Sequence, residues 1–330
     1  MPTQLGFCTC LIQKASHAHK DAVTFNVLLD PWLQGSQSDV ASWFSTQEHI
    51  IPSSVQTIEK LNSLLAELEG EIIRGAGDND GAETTTQTKI KAQSYIDVVA
   101  ISHEFTDHCH EKTLRELPKS TPIIAPDKAF KLICSWTYFD TVVETPAFLG
   151  TQAGDWRAAL KCEPLPSWIG ITRVVTPGNQ LYYHSAIMVA FMSKGTEDVE
   201  GSAEGGEAII YSPHGINASD LAGVRTSGIR TLALLHGLHD VRIWMTKQLN
   251  LGGLNGAAAA RECRAKYWIT THDELKKGTG FITPLLRRTK WSLAEVIRKE
   301  GRKAGSTDNT GPGFEFVELG SGDGLILERS

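Results

Sequence analysis

Residues 96–110, IDVVAISHEFTDHCH, combine an apolar strand with a loop rich in metal-binding side chains. The first six residues are mostly Ile and Val, a composition typical of a buried strand. The next nine contain three imidazoles and two carboxylates. A loop between a strand and a helix can direct several side chains at one point from a rigid base. Since zinc, iron and manganese accept these donors, the segment predicts a metal site. The alternative is a helix N-terminus capped by Asp107, with solvated histidines.

The composition places this segment in a folded protein. The chain has 330 residues, of which 41% are hydrophobic and 21% charged, as in an ordinary globular domain. A formal charge of -6 gives no general attraction to nucleic acid or to anionic membranes. We find neither a membrane-spanning apolar run nor a secretory signal, and the six cysteines contain no C-x-x-C pair. We therefore expect reduced thiols and a cytoplasmic protein.

Hydrophobic periodicity predicts strands and helices in both halves of the chain. Such a mixture favours a layered α/β or α+β architecture with central sheets. The predicted strands are Leu5–Gln13, Thr24–Asp30, Ile96–Ile101, Thr121–Ala125, Ile169–Val175, Leu181–Met192, Glu207–Tyr211, Thr231–Leu235 and Tyr267–Thr271. The predicted helices are Ser53–Gly70, Glu111–Leu117, Asp127–Trp136 and Gly253–Lys266, with polar loops at 75–88 and 193–206.

The metal-loop segment resembles the H-x-H-x-D-H motif of the metallo-β-lactamase superfamily, which His103, Asp107 and His108 match. Further landmarks follow the family's order over most of the chain: Asp30 in LLDPWL, His184 in LYYHSAIMV, His214 in SPHG and His272 in YWITTHDE. The DPWL sequence is similar to the lactonase and N-acyl-phosphatidylethanolamine phospholipase D-like branch. The resemblance implies an α+β fold, a four-layer αββα sandwich. It would form one domain over 1–330, with pseudo-symmetric halves at 1–175 and 176–330, and an insertion at 34–93 that includes a lid.

The resemblance also implies a set of metal ligands, namely His103, Asp107, His108, His184, His214 and His272. The sequence departs from the motif at two positions, because Phe105 replaces a histidine and His214 stands where a bridging carboxylate is usual. We therefore expect one firmly held divalent ion on Asp107, His108 and His272, with a second ion uncertain. Zinc is the expected metal, with manganese and iron as alternatives. His214 would be a fourth ligand or an acid/base, and Asp30 would orient a ligand histidine.

Other side chains near these landmarks are candidates for substrate contacts. His236, in LLHGLHD, is a candidate proton donor or substrate ligand, with a structural hydrogen bond as the alternative. Phe105 and Trp32 are candidates for the wall of an apolar pocket. A basic stretch follows His272, for which we favour a solvated face over an anion-steering site. This stretch consists of Lys276, Lys277, Arg287, Arg288 and Lys290.

The predicted function is hydrolysis of a small-molecule ester, lactone, amide or phosphodiester by a metal-activated water. Asp107, His214 and His236 are the predicted catalytic residues. One alternative is a non-catalytic or weakly metal-binding relative that binds a small molecule, and another is an iron-based redox protein. The sequence contains neither a phosphate-binding P-loop nor a G-x-S-x-G serine elbow.

Overall fold

The computed structural model describes residues 8–14, 23–76, 94–175, 183–192, 205–245, 247–304 and 312–328. The strands, numbered in chain order, are β1 (Cys8–Lys14), β2 (Val23–Leu29), β3 (Thr46–His49), β4 (Val98–Ala100), β5 (Ile123–Ala125), β6 (Val142–Glu144), β7 (Ile169–Val174), β8 (Ala186–Met192), β9 (Gly206–Ser212), β10 (Ile229–His236), β11 (Asp240–Ile243), β12 (Lys247–Asn250), β13 (Tyr267–Ile269), β14 (Lys276–Thr279), β15 (Leu286–Thr289) and β16 (Glu315–Val317). The α-helices are α1 (Ile58–Ala76), α2 (Glu111–Leu114), α3 (Asp127–Ser135), α4 (Ala222–Thr226), α5 (Gly253–Glu262) and α6 (Leu293–Ala304).

Two mixed sheets form the centre of the molecule. The first sheet has the order β1-β2-β4-β5-β6, in which β2, β4, β5 and β6 are parallel. The second sheet has the order β16-β13-β10-β9-β8-β7, in which β9, β10, β13 and β16 are parallel. Small sheets, β12-β11-β15 and β14-β3, lie outside these two.

Alternation along the strands divides the core into three apolar layers. Val27 and Leu29 of the first sheet and Val189 of the second belong to one cluster, which lies between the sheets. Leu28 and Val99 point to the opposite faces of their strands from the residues on either side of them. They pack with residues of α1 and α3. On the second sheet, residues such as Met188 pack with α5 and α6. Helices therefore cover the outer face of each sheet, and the predicted αββα sandwich is confirmed.

Most of the predicted elements are present with shorter or shifted bounds. The predicted helix Ser53–Gly70 begins at Ile58 and runs on to Ala76, and the predicted strand Leu181–Met192 begins at Ala186. Most of the loop predicted at 75–88, and most of that at 193–206, lies outside the described residues. Among the residues that are described, no helix is long and apolar enough to cross a membrane. The single-domain assignment, the two halves and the lid at 34–93 stay predictions.

Candidate metal centre

The candidate residues lie at the ends of strands in both central sheets. Asp30 follows β2 and the 102–110 loop follows β4, which is parallel to β2. In the second sheet, His214 follows β9 and His272 follows β13. The carboxyl ends of parallel strands meet at one edge of a sheet, so side chains far apart in sequence converge there.

Two of these residues have strained backbones. Asp30 has a φ of +43° and His272 a φ of +60°, values in the left-handed region that non-glycine residues seldom adopt. Both residues are buried. A residue held in this region costs about 1 to 3 kcal/mol, and such residues cluster at functional sites. The packing around the two residues keeps their side chains directed into the cluster.

Asp30 orients the imidazole of His108. The Nδ1–H of His108 donates to Asp30 Oδ2 at 2.7 Å, and the backbone N–H of Ser102 donates to Asp30 Oδ1 at 2.7 Å. The Ser102 hydroxyl also donates to Asp30. A carboxylate on one ring nitrogen directs the other nitrogen toward a metal, as in many histidine sites. Nε2 of His108 is therefore the atom that faces the centre.

Asn250 fixes the two histidines on the other side of the centre. His214 Nδ1–H donates to Asn250 Oδ1 at 2.8 Å, and the Asn250 amide donates to His272 Nδ1 at 3.3 Å. Because one amide accepts on one side and donates on the other, the two neutral imidazoles have opposite tautomers. His214 thus presents a bare Nε2, 2.9 Å from His108 Nε2. His272 instead carries its proton on Nε2.

Asp107 lies beside these imidazoles, and its two oxygens face three neighbouring side chains. Oδ1 is 3.7 Å from His108 Nε2. Oδ2 accepts from His272 Nε2–H at 3.3 Å and from Lys276 Nζ at 2.9 Å. Two groups of residues have one ligand atom each within 4.8 Å of the others: His103, His108 and His214, and Asp107, His108 and His272. His108 is common to both.

Burial and neighbouring charges shift the pKa values of His108 and Asp107 in opposite directions. Burial alone would lower the pKa of His108, but the charges of Asp107 and Asp30 outweigh it and raise the pKa above the ordinary value. Burial would raise the pKa of Asp107, but Lys276 and His108 hold it well below its usual range. Burial lowers the pKa of His214 well below its ordinary value, and the positive charge of His108 adds to this. His214 is therefore neutral, and its Nε2 accepts a hydrogen bond from His108 Nε2–H.

Lys276 is buried among acidic side chains. Its side chain is only 8% exposed, and Nζ donates to Asp107 Oδ2 and to Glu274 Oε1, each at 2.9 Å. Burial would lower the pKa of this lysine, but Asp107 and Glu274 raise it above its ordinary value. Our prediction of a solvated face is wrong for Lys276, because β14 pairs with β3 and turns this side chain inward. Lys277, Arg287, Arg288 and Lys290 are exposed as predicted.

His103 and His184 lie where the sequence predicts but are engaged elsewhere. His103 Nε2–H donates to the Tyr183 carbonyl at 2.6 Å, and burial, with the charge of His108, keeps its pKa well below the ordinary value. His184 Nε2 lies 3.2 Å from the carbonyl oxygen of Leu249. Among the described residues, His184 belongs to neither candidate ligand group. The turn before β8 directs the backbone of Tyr183, rather than the His184 ring, to the centre.

The remaining predicted site residues surround the centre at different distances. The Phe105 ring stacks on His103 with centroids 6.0 Å apart and lies edge-on to His214 at 5.7 Å. Trp32 is buried, stacks on His49 at 3.8 Å and lies under Lys276 Nζ, 5.3 Å from its ring centroid. His236 is buried between Gly237 O at 2.7 Å and Asn255 Oδ1 at 2.8 Å. Both ring nitrogens of His236 therefore have structural partners, and a role in substrate contact stays a prediction.

The sequence analysis did not identify four groups that contact residues of the centre or of its loop: the Asn250 amide, the Glu274 carboxylate, the Tyr183 carbonyl and the Asp39 carboxylate. Burial, and then the charge of Asp107, raises the pKa of Asp39, which accepts from Thr106 N–H at 2.9 Å. A backbone carbonyl leaves no mark in a sequence. Glu274, in contrast, is two residues from His272 and from Lys276, and that spacing was a usable signal.

No protein-family model matches the chain, and no curated protein matches it either. Solved structures do match. An isothiocyanate hydrolase from Delia radicum gut bacteria is 11% identical, with a TM-score of 0.53 and 99% of both chains covered. A metallo hydrolase from the archaeon Ignicoccus hospitalis is 11% identical, with a TM-score of 0.47 and 100% and 99% of the chains covered. A metallo-β-lactamase fold protein from Bacillus subtilis is 12% identical, with a TM-score of 0.39 and 90% and 86% covered.

The chain shares its fold with the isothiocyanate hydrolase over nearly the whole length of both chains. Identities this low show a shared architecture, and fold alone does not determine a reaction. The function therefore has to be argued from the centre itself.

Proposed function

We propose that the chain is a hydrolase that uses one divalent metal ion, held by His108, His214 and Asp107. The observation that carries the proposal is the 2.9 Å approach of the His108 and His214 Nε2 atoms. Each ring is held by a bond from its other nitrogen. The 2.9 Å contact is a hydrogen bond from His108 Nε2–H to His214 Nε2, and an ion that replaced this proton would meet both nitrogens. Asp107 Oδ1 lies 3.7 Å from His108 Nε2 but shares no candidate ligand group with His214, so this carboxylate would have to move toward the ion. Two imidazoles, one carboxylate and an open position are the pattern of a catalytic zinc site. Zinc is therefore the proposed metal.

A divalent ion in such a site supplies a water with a pKa near 7 and polarises the bond under attack. The chain's own residues supply the rest. His272 carries a proton on Nε2, 3.3 Å from Asp107 Oδ2, and is positioned to donate it to a leaving group. Asp30 and Asn250 hold the ligand rings, and Phe105 provides apolar surface at the edge of the centre.

The proposed substrates are small molecules with an electrophilic carbon or phosphorus: esters, lactones, amides and phosphodiesters. Isothiocyanates join the screen because a hydrolase of that class has a similar fold over its whole length. The lactonase or N-acyl-phosphatidylethanolamine phospholipase D-like branch stays a prediction that rests on DPWL. Cytoplasmic location is also a proposal, to which the free thiols of Cys109, Cys162 and Cys263 are suited.

The test is metal content, measured by plasma mass spectrometry, together with turnover of the substrate panel. We expect His108→Ala and His214→Ala to lose the ion, and His272→Ala to keep it while losing turnover. His110→Ala is the matched control, since its Nδ1 bonds Thr113 Oγ1 at 2.8 Å and it belongs to neither ligand group of the described chain. Loss of metal in His272→Ala but not in His214→Ala would reverse the two assigned roles.

A wild-type protein that takes up no metal from supplemented medium would refute the proposal. It would favour the alternative of a non-catalytic small-molecule binder. One observation supports that alternative: Asp107 is already neutralised by Lys276 at 2.9 Å.

A further inference from the structure

The buried ion pair of Lys276 lies on the opposite side of Asp107 from His108. Asp107 turns Oδ1 toward His108 Nε2 and Oδ2 toward the ammonium. Glu274 is the second acidic partner of Lys276, with its Oε1 2.9 Å from the same Nζ. All three side chains are largely buried, with exposed fractions of 11% for Asp107 and 8% for Lys276 and for Glu274.

Without the ammonium, this place would be a cation site. Two buried carboxylates are oxygen donors of the kind that divalent metals accept, whereas His272 Nε2 carries a proton that it donates to Asp107 Oδ2. Glu274 Oε2 has no hydrogen-bond partner among the residues that the structure describes, so the carboxylate retains acceptor capacity. Buried carboxylates need a positive partner, and here a lysine from the same chain supplies it.

A resident ammonium excludes a metal ion from this place in two ways. It occupies the space between the two carboxylate oxygens, since each is already at hydrogen-bond distance from Nζ. Its charge also repels a second cation, and repulsion between buried charges is only weakly screened. Trp32 lies beneath Nζ with its ring centroid 5.3 Å away, a cation–π contact that helps to hold the ammonium there.

We propose that Lys276 is a built-in cation that takes the place of a second metal ion and limits the centre to one ion. The inference extends the proposed function, on which its one-ion count rests. It assigns Asp107 a double role, as a ligand through one oxygen and as the anchor of the lysine through the other. The lysine also keeps Glu274 from serving as a ligand.

The experiment compares metal stoichiometry in the wild type and in neutral variants of Lys276. Each protein is stripped with a chelator, titrated with zinc and analysed by plasma mass spectrometry after gel filtration. We expect one equivalent in the wild type and two in Lys276→Met. In the double variant Lys276→Met/Glu274→Gln the second equivalent should be lost again, because one of its carboxylates is gone. Lys277→Met, an exposed neighbour on the same strand, is the matched control and should bind as the wild type does.

Two results would overturn the inference: two equivalents in the wild type, or no additional equivalent in a folded Lys276→Met variant. Because that variant leaves two buried carboxylates facing each other, it can fail to fold. Lys276→Gln is the second neutral variant, whose amide can still donate to a carboxylate, and the same gain is expected. The wild-type count tests the inference without any variant.

The failures of the two proposals are distinguishable. No metal in the wild type, with uptake in Lys276→Met, would refute the proposed function and support the role of Lys276. One equivalent in both proteins would support the single-ion centre and refute the role of Lys276.

Discussion

Replacing Glu274 by Gln should destabilise the metal-free protein by about 3 kcal/mol at neutral pH. Burial would raise the pKa of this carboxyl, but Lys276 and His272 lower it from 4.5 to about 2. At about 1.4 kcal/mol per pH unit, that difference corresponds to about 3 kcal/mol of stability from the ionised group. Glu274 is buried, so solvent screening removes little of this. The value agrees with the roughly 3 to 5 kcal/mol cost of breaking a buried pair.

The same reasoning gives the direction of the pH dependence. A carboxyl whose pKa is lower in the folded state stabilises the protein fully above 4.5, and the contribution is lost as the pH falls toward 2. At about pH 3.5 the Glu274 carboxyl is mostly protonated in the unfolded chain but still mostly ionised in the folded chain. The wild-type advantage over Glu274→Gln should then have shrunk by about 1.4 kcal/mol.

The assay is urea denaturation of chelator-treated wild type and variant, followed by circular dichroism at neutral and acidic pH. Glu111→Gln is the control, because Glu111 forms an exposed pair with Arg115 at 2.7 Å. Exposed pairs contribute about 0 to 1 kcal/mol. The reasoning is refuted if Glu274→Gln is as stable as the wild type at neutral pH, or if the difference between them does not change with acidification.

Three further predictions concern the centre and its support. Asn250→Ala should weaken zinc binding by about 10- to 100-fold in a chelator competition, because His214 loses the partner of its Nδ1; unchanged affinity would contradict the role of the amide. Zinc affinity should be lower at about pH 5.5 than at about pH 7.5, because protons compete with zinc for His108, whose pKa is raised. Equal dissociation constants at the two pH values, measured by isothermal titration calorimetry, would contradict this. Gly256→Ala should lower the free energy of unfolding by about 1 to 3 kcal/mol, because its Cβ would lie 2.4 Å from the Trp268 ring and 2.9 Å from His236 Nδ1; a melting temperature equal to that of the wild type would contradict the packing.

The layered architecture could be predicted from the sequence because its determinants are local. The apolar composition of β2 and β4 marks buried strands, and the helical periodicity of α1 marks the face that packs on the sheet. The landmarks Asp30, Asp107, His108, His214 and His272 were identifiable because they match, in order, positions of the metallo-β-lactamase motif. The structure brings all five to one edge. Element ends were less accurate: α1 runs beyond its predicted end at Gly70 because no strong stop signal follows it.

The orientation of side chains within the centre was decided by tertiary structure. His184 is next to Tyr183 in the predicted strand, yet it is the Tyr183 carbonyl that contacts His103, while the His184 ring lies beside the Leu249 carbonyl. Composition and spacing do not reveal which way a side chain turns in the residues before a strand. The position of Asn250 between two histidines depends likewise on contacts across 36 and 22 residues.

Lys276 shows the same division between local and long-range information. From the sequence alone it belongs to a basic stretch, and such stretches are usually solvated. In the folded chain it meets Asp107, 169 residues earlier, because β14 pairs with β3 beside the centre. Local periodicity determined the sheets, the helices and the loops that carry the donors. Long-range strand pairing determined which charge neutralises which carboxylate, because those energies depend on distances that exist only after folding.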